Sequence, residues 1–146
     1  MNNNNPLKIG DILMITITNR RRTVEFDVGY GAMRAYRCAI AKAFGVGDEY
    51  IHSTAWGVTQ EESSYWVNFI EKKIPSSLFK FLFACDSVKH FRVRQCEELY
   101  CLLKSAKLPT DFNTKIAVYG KTFDLHEAFI EAFRIGRHKG VGVEWW

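Results

Sequence analysis

The chain has 146 residues, of which 47% are hydrophobic and 14% aromatic, and its formal net charge is +4 at pH 7. This length fits one domain with its own core, and the composition excludes a disordered chain. The small positive charge permits an acidic partner, but it is too weak to indicate nucleic-acid binding, and we do not expect a nucleic-acid partner.

The start of the chain and its cysteines indicate where the protein works. The asparagine-rich opening predicts a flexible N-terminus over residues 1–8 and a single globular domain over residues 9–146. No secretory signal and no membrane-spanning run is recognisable, so we expect a cytoplasmic protein with no membrane partner. None of the cysteines forms a CxxC pair, and we expect them to be reduced; they are Cys38, Cys85, Cys96 and Cys101.

Two segments near the start predict a β-hairpin. Residues 9–18 are rich in β-branched residues, and residues 23–28 alternate with Val24, Phe26 and Val28 on one face. Between them, Arg20-Arg21-Arg22 suits a turn. Residues 141–146 predict a last strand that would add to the hairpin.

Helical periodicity and capping pairs predict the remaining elements. Thr59 with Glu62 and Asp124 with Glu127 have the spacing of capping boxes. Helices are predicted over residues 31–44, 59–73, 76–83, 93–107 and 124–139. Irregular segments are predicted over residues 45–57, 85–92 and 111–121, the last with a short extended piece at 116–119. The predicted fold is α+β, with a small antiparallel sheet (the N-terminal hairpin plus the C-terminal strand) covered by about five helices.

The stretch from Phe26 to Gly45 carries the main candidate site. Gly29 and Gly31 flank Tyr30, which predicts a two-glycine turn between a strand and a helix. Arg34 and Arg37 follow near the start of that helix, and Gly45 would end it. This combination predicts an anion site at the helix N-terminus, with the arginines as donors and Tyr30 stacking on a base. We expect Arg37→Ala to weaken binding about tenfold and to leave the fold intact. A tight turn followed by two surface arginines is the structural alternative.

Three further residues complete the candidate ligand-binding set. Trp56 lies in a predicted loop, where an exposed aromatic can serve function. Arg92 and Arg94 lie at the start of a predicted helix, where the helix dipole disfavours cations, so a contact with an anionic ligand or partner would explain them. The candidate ligand-binding residues are Tyr30, Arg34, Arg37, Trp56, Arg92 and Arg94.

Recognised catalytic and metal motifs are missing from the sequence. There is no HExxH, CxxC, GxSxG, P-loop or complete dinucleotide fingerprint, and His52-Ser53-Thr54 matches an H-x-T motif only once. Cys85 near His90 is the best nucleophile candidate, against the alternative of a buried thiol and a solvated histidine. We therefore nominate no catalytic residue, no metal ligand and no cofactor.

Three pieces resemble an uncharacterised family of small phage and bacterial proteins. They are Val28-Gly29-Tyr30-Gly31 with its following helix, the loop 84–89 with Gln95-Cys96-Glu97-Glu98-Leu99-Tyr100, and the run 129–145. In that family the loop often reads as an acid-rich turn. Here only Asp86 matches, while Val88 and Lys89 replace a second acid and a glycine. The resemblance implies a compact helical domain with a small sheet, a phage or prophage origin, and a lost cation site if that loop binds one elsewhere.

These observations leave three functions open. The first is a non-enzymatic phage-type protein that captures an anionic nucleotide immune signal in the host cell. The second is an inhibitor that binds a host protein, because exposed aromatics and arginines dominate such interfaces. The third is a hydrolase or nuclease without a familiar motif. The terminal Trp145-Trp146 pair would be costly to expose, so we expect it to pack on the chain itself or on a neighbouring subunit. The second alternative predicts a homo-oligomer, with a symmetric dimer as the first choice.

Overall fold

The computed structural model describes residues 14–18, 25–83, 89–108, 115–118, 121–138 and 142–145. Within these residues the chain forms six strands and six helices. The strands are β1 (Met14–Thr18), β2 (Glu25–Gly29), β3 (Lys89–Phe91), β4 (Lys115–Val118), β5 (Lys121–Asp124) and β6 (Val143–Trp145). The helices are α1 (Tyr30–Ala43), α2 (Gly47–Thr54), α3 (Gln60–Glu71), α4 (Ser76–Phe83), α5 (Val93–Ser105) and α6 (Leu125–Gly136).

The main sheet has four antiparallel strands in the order β2-β1-β6-β3. The predicted hairpin and the predicted C-terminal strand are both present. In β2, Phe26 and Val28 are buried and Glu25 and Asp27 are exposed, which is the predicted alternation. A separate hairpin pairs β4 with β5, in the region where the sequence predicted a connector with a short extended piece. The α+β class is therefore confirmed.

Helix α6 covers the inner face of the sheet and forms the centre of the core. The ring of Phe129 meets Phe26 of β2 edge to face, with centroids 5.3 Å apart, and Phe133 meets Phe91 of β3 at 5.5 Å. Phe129 also stacks on Tyr36 of α1 at 5.1 Å. Offset and edge-to-face arrangements are those that aromatic rings prefer. One aromatic cluster therefore joins the sheet to α1 and α6.

Several helix ends follow the capping rules. The side chains of Thr59 and Asp124 accept hydrogen bonds from the backbone N–H groups of Glu62 and Glu127, as their spacing predicted. Gly45 ends α1 with φ +80°. The N–H of Val46 donates to the carbonyl of Ala41 and that of Gly45 to the carbonyl of Lys42. These two bonds form a Schellman motif, so the prediction that Gly45 ends the helix is confirmed.

Two segments predicted to be irregular contain regular structure. Helix α2 occupies most of residues 45–57; it buries only Tyr50 and Ser53, so its apolar pattern is weak, although Asp48 and Glu49 suit its first turn. Strand β3 lies at the end of residues 85–92. Its three residues pair with β6, and three residues are too few for a recognisable alternation.

The two-glycine turn is also corrected. Gly29 has φ −65° and ψ 150°, which any residue can adopt, and Gly31 lies within α1 with no positive φ. Tyr30 is consequently the first residue of the helix and does not lie at the tip of a turn. The chain passes from β2 into α1 without needing the conformational freedom of glycine.

Candidate functional site

A cavity of about 370 Å³ opens between α1, α2 and the end of α4. Helix α1 contributes Tyr30, Met33, Arg34 and Arg37, which follow one another at helical spacing and so share one face. The other described lining residues come from α2 and α4; they are Tyr50, Thr54, Leu82 and Phe83. The volume lies within the range of roughly 300–1,000 Å³ typical of small-molecule sites.

Arg34 is the accessible cation of this cavity. Its side chain is exposed, and its Nη1 donates a hydrogen bond to the hydroxyl of Thr54 at 2.8 Å. The Thr54 hydroxyl in turn donates to the carbonyl of Tyr50 at 2.9 Å. A guanidinium has five N–H donors and Thr54 uses one of them, so Arg34 is oriented towards the cavity while retaining donor capacity for an anion.

Arg37 is built into the wall. Only 7% of its surface is exposed, and its Nε donates to the carbonyl of Phe81 at 3.1 Å. The charge of Arg37 thus lies beside the cavity, while its side chain also ties α1 to α4. Removing a buried hydrogen-bonded charge is costly, so we now expect Arg37→Ala to destabilise the fold, contrary to the expectation from the sequence.

Helix α2 fixes the opposite wall. The hydroxyl of Tyr50 donates to the carbonyl of Leu82 at 3.1 Å, and its ring packs edge to face on Phe83 at 5.3 Å. These contacts hold two aromatic rings beside the cavity. Tyr50, Thr54 and Phe83 could not be nominated as site residues from the sequence, because no local pattern links them to Arg34 and only the tertiary fold brings them together.

The other candidates lie elsewhere. Trp56, Arg92 and Arg94 are not among the described residues that line the cavity. Trp56 is fully exposed in the connection between α2 and α3. The backbone N–H of Arg92 donates to Gln95 Oε1 at 3.0 Å, and the side chains of Arg92 and Arg94 are exposed. The cavity therefore brings together three of the six candidate ligand-binding residues, Tyr30, Arg34 and Arg37. The other three lie outside its described lining, and a role for them in ligand binding stays a prediction.

A second cavity of about 440 Å³ is larger but electrostatically different. It lies between the end of α1 and the start of α2, where Asp48 and Glu49 line it together with Lys42. Among the described lining residues of this second cavity, two carboxylates outnumber one ammonium, which opposes an anionic ligand. The described lining of the first cavity holds two arginines and no carboxylate, so the first cavity is the better anion site.

The arginines at the end of α6 have side-chain partners. Arg134 forms a bidentate ion pair with Glu131, with N–O distances of 2.7 and 2.6 Å, and this pair lowers the pKa of Glu131. Arg137 bonds Glu97 at 3.3 Å and lies over the ring of Tyr100, 4.3 Å from its centroid. The Arg134 pair lies within α6, whereas Arg137 joins the end of α6 to α5. Neither arginine is nominated for ligand binding.

None of the described cysteines has the environment of a reactive nucleophile. Burial raises the pKa of Cys96 to about 12, which keeps it protonated, and its thiol donates to the carbonyl of Phe91. Burial also raises the pKa of Cys38. Cys101 is exposed on α5. Cys85 and Asp86 lie outside the described residues, so the Cys85–His90 alternative and the Asp86 loop stay predictions, as do residues 1–8 and Trp146.

Comparisons with protein-family models, with curated proteins and with solved structures found no match to this chain. Within the described part of the chain, no set of three or more His, Cys, Asp and Glu residues could hold a metal ion. None of the described helices is both long enough and apolar enough to cross a membrane.

Proposed function

We propose that this chain is a non-enzymatic binding protein that captures a small anionic ligand of nucleotide type in the cavity between α1, α2 and α4. The observation that carries the proposal is the pairing of Arg34 with Thr54 at the edge of a cavity whose described lining contains two arginines and no carboxylate. Arginine forks recognise phosphates through paired hydrogen bonds.

The aromatic lining supports a ligand with a ring system as well as a charge. Tyr30, Tyr50 and Phe83 line the same cavity as the arginines. A base or another planar ring can stack on aromatic side chains, and such stacking tolerates different bases. A nucleotide supplies both the phosphate for Arg34 and the ring for these residues, whereas inorganic phosphate or a nucleoside supplies only one.

The lining residues favour binding of the ligand without a chemical reaction. The described lining offers cationic, aromatic, aliphatic and hydroxyl groups, with no histidine, cysteine or carboxylate that could act as a general base or a strong nucleophile. The bound ligand would therefore leave the cavity chemically unchanged.

The more specific form of the proposal is an anti-defence role in the cytoplasm of a host cell. It is supported by the resemblance to small phage and bacterial proteins, which is an argument by analogy and assigns no function by itself. In this role the protein sequesters a nucleotide immune signal, such as a cyclic nucleotide or a molecule related to ADP-ribose, and lowers its free concentration.

A ligand series tests the proposal by titration calorimetry on the full chain. ADP-ribose, AMP and a cyclic dinucleotide supply phosphate and ring together, and adenosine and inorganic phosphate serve as matched partial ligands. We expect at least one nucleotide to bind at least about tenfold more tightly than either partial ligand. Equal weak binding of all five compounds, or hydrolysis of a bound nucleotide, would contradict the proposal.

A second candidate function is inhibition of a host protein, and one observation favours it. Trp56 is fully exposed, and tryptophan is enriched among the residues that dominate protein interfaces. In this alternative Trp56 enters a pocket of the partner. The two functions separate experimentally, because Trp56→Ala should abolish partner binding and leave nucleotide binding unchanged.

A further inference from the structure

Helix α3 lies at the periphery and presents an aromatic surface. Trp66, Phe69 and Ile70 recur at helical spacing, which predicts a core-facing stripe, but only Ile70 is buried, while Trp66 and Phe69 are half-buried. Tyr65 beside them is 63% exposed. A groove of about 340 Å³ runs along this surface, lined by Tyr65, Asn68, Phe69, Lys72 and Lys73.

Trp66 holds the two aromatic residues of this groove in place. Its ring meets Tyr65 edge to face with centroids 5.0 Å apart and Phe69 at 5.9 Å. On its other side it stacks on His52 of α2 at 5.6 Å. Because Trp66 is anchored between two helices, Tyr65 and Phe69 are preorganised, which lowers the entropic cost of using them in an interface.

The charges along this face have opposite signs at its two ends. Glu61 and Glu62 are exposed on the first turn of α3, one turn before Tyr65 and on the same side of the helix. Lys72 and Lys73 are exposed just after its last turn, and the Nζ of Lys73 lies 5.1 Å from the centroid of Phe69. The acidic and basic ends are about 16 Å apart along the helix axis. We call the complete surface the α3 face; it consists of Glu61, Glu62, Tyr65, Asn68, Phe69, Lys72 and Lys73.

This arrangement is complementary to itself. The pairs Glu61 and Lys73, Glu62 and Lys72, and Tyr65 and Phe69 all have residue 67 as their midpoint. A two-fold axis at that level would lay one α3 antiparallel on another. Each acidic pair then faces the partner's Lys72 and the partner's Lys73, and Tyr65 faces the partner's Phe69. A symmetric dimer requires a patch that complements its own copy.

We propose that the α3 face is a homodimer interface in which two copies of this helix pair antiparallel. The occupant is a second copy of this chain, selected by the acidic-aromatic-basic order of the face. A single helix pair is smaller than a standard stable interface of ~1,200–2,000 Å², so the expected dimer is a micromolar one. The α3 face shares no lining residue with the proposed anion cavity, so either proposal can fail without the other.

Charge-reversed variants of the full chain test this proposal by sedimentation velocity. In Glu61→Lys/Glu62→Lys both ends of the face are basic, and in Lys72→Glu/Lys73→Glu both ends are acidic. Each variant alone should dimerise at least about tenfold more weakly than the wild type, because like charges meet. An equimolar mixture should restore the dimer, because each basic end then meets an acidic end. Glu71→Lys reverses one charge on another side of α3, half the charge change of each double variant, and should dimerise like the wild type.

Circular dichroism first establishes that the variants fold, since reversing charges at helix ends also opposes the helix dipole. Tyr65→Ser leaves those charges unchanged and should still weaken the dimer, so it tests the interface if a charge variant does not fold. A wild type that stays monomeric up to about 1 mM would overturn the proposal. So would a mixture that remains monomeric, or a Tyr65→Ser dimer as tight as that of the wild type.

Discussion

The hydroxyl of Tyr36 lies 2.7 Å from Nδ1 of His126, and this contact joins α1 to α6 across 90 residues of sequence. Tyr36 is completely buried, and its pKa is raised well above the usual value, mainly by that burial and further by the charge of Asp124. Tyr36 therefore stays protonated and donates its hydrogen bond to the neutral imidazole. The contact therefore links two of the helices that contribute rings to the aromatic core.

Removing the Tyr36 hydroxyl should lower the stability of the protein. Tyr36→Phe keeps the ring contacts with Phe129 but leaves Nδ1 of His126 without this donor, which we expect to cost about 1–2 kcal/mol. Urea denaturation should show a lower midpoint with an unchanged slope. Tyr65→Phe removes an exposed hydroxyl and is the matched control, with an expected change within about 0.5 kcal/mol. Equal effects of the two substitutions would contradict a structural role for the Tyr36–His126 bond.

His126 should make the stability depend on pH. Burial lowers the pKa of His126 below its usual 6.5, although Asp124 and a backbone hydrogen bond with Ala106 act in the opposite direction. The unfolded chain therefore binds this proton at higher pH than the folded chain does. The stabilising contribution is complete above the unfolded pKa and is lost as the pH falls from 6.5 through the lower pKa of the folded state.

This pH dependence can be measured as the urea midpoint between pH 5 and pH 8. We expect the wild-type midpoint to fall with acidification and the His126→Asn midpoint to fall less, because asparagine offers Tyr36 an acceptor that does not titrate in this range. If the urea midpoint of His126→Asn depends on pH as steeply as that of the wild type, a titratable group other than His126 causes the pH dependence.

Two helical glycines should respond in opposite directions to replacement by alanine. A Cβ at Gly31 would meet nothing within 4 Å, whereas a Cβ at Gly136 would lie 2.6 Å from Val143 Cγ2 and 2.9 Å from Cys96 Sγ. We expect Gly31→Ala to stabilise the protein by about 0.5–1 kcal/mol through helix propensity. Gly136→Ala should destabilise it by about 1–3 kcal/mol, because α6 must move away from β6. Thermal melts of both variants measure the difference, and a stabilised Gly136→Ala would contradict the close packing of α6 on β6.

The arginines should separate into binding and structural residues. Arg34→Ala should weaken nucleotide binding about tenfold, or by 1.4 kcal/mol, and leave the melting temperature nearly unchanged because its side chain is exposed. Lys107→Ala removes one exposed positive charge outside the candidate set, so it is the control for overall charge and should bind like the wild type. Arg37→Ala should lower the melting temperature because the bond to the carbonyl of Phe81 is lost. Calorimetry and thermal melts on the three variants distinguish these outcomes, and equal weakening by Lys107→Ala would show that the Arg34 effect is one of general charge.

Elements with strong periodicity could be predicted from the sequence. Met33, Tyr36 and Ile40 recur at helical spacing, and all three are buried on one face of α1. Phe26 and Val28 alternate in the same way in β2. By contrast, β3 is a strand only because β6 lies beside it, and Trp66 is half-buried only because α3 lies at the edge of the molecule. Such outcomes depend on tertiary neighbours that no local pattern encodes.

Only part of the candidate site could be predicted from the sequence. Arg34 and Arg37 could be assigned to one helix face from their spacing, but the burial of Arg37 depends on α4. Thr54, which orients Arg34, is 20 residues away in a helix that the sequence did not indicate. The glycines that suggested an anion-binding turn have ordinary backbone angles, so the proposed anion site lies at the side of α1 and not at its tip.

Native mass spectrometry tests the central claim most directly. Wild type, Arg34→Ala and Lys107→Ala would be purified from cells that produce nucleotide immune signals, and their masses compared under non-denaturing conditions. We expect the wild type and Lys107→Ala to carry a mass excess that matches a nucleotide, and Arg34→Ala to lack it. An unliganded wild type that acquires no added mass from a panel of nucleotides would contradict the claim that this cavity captures an anionic ligand.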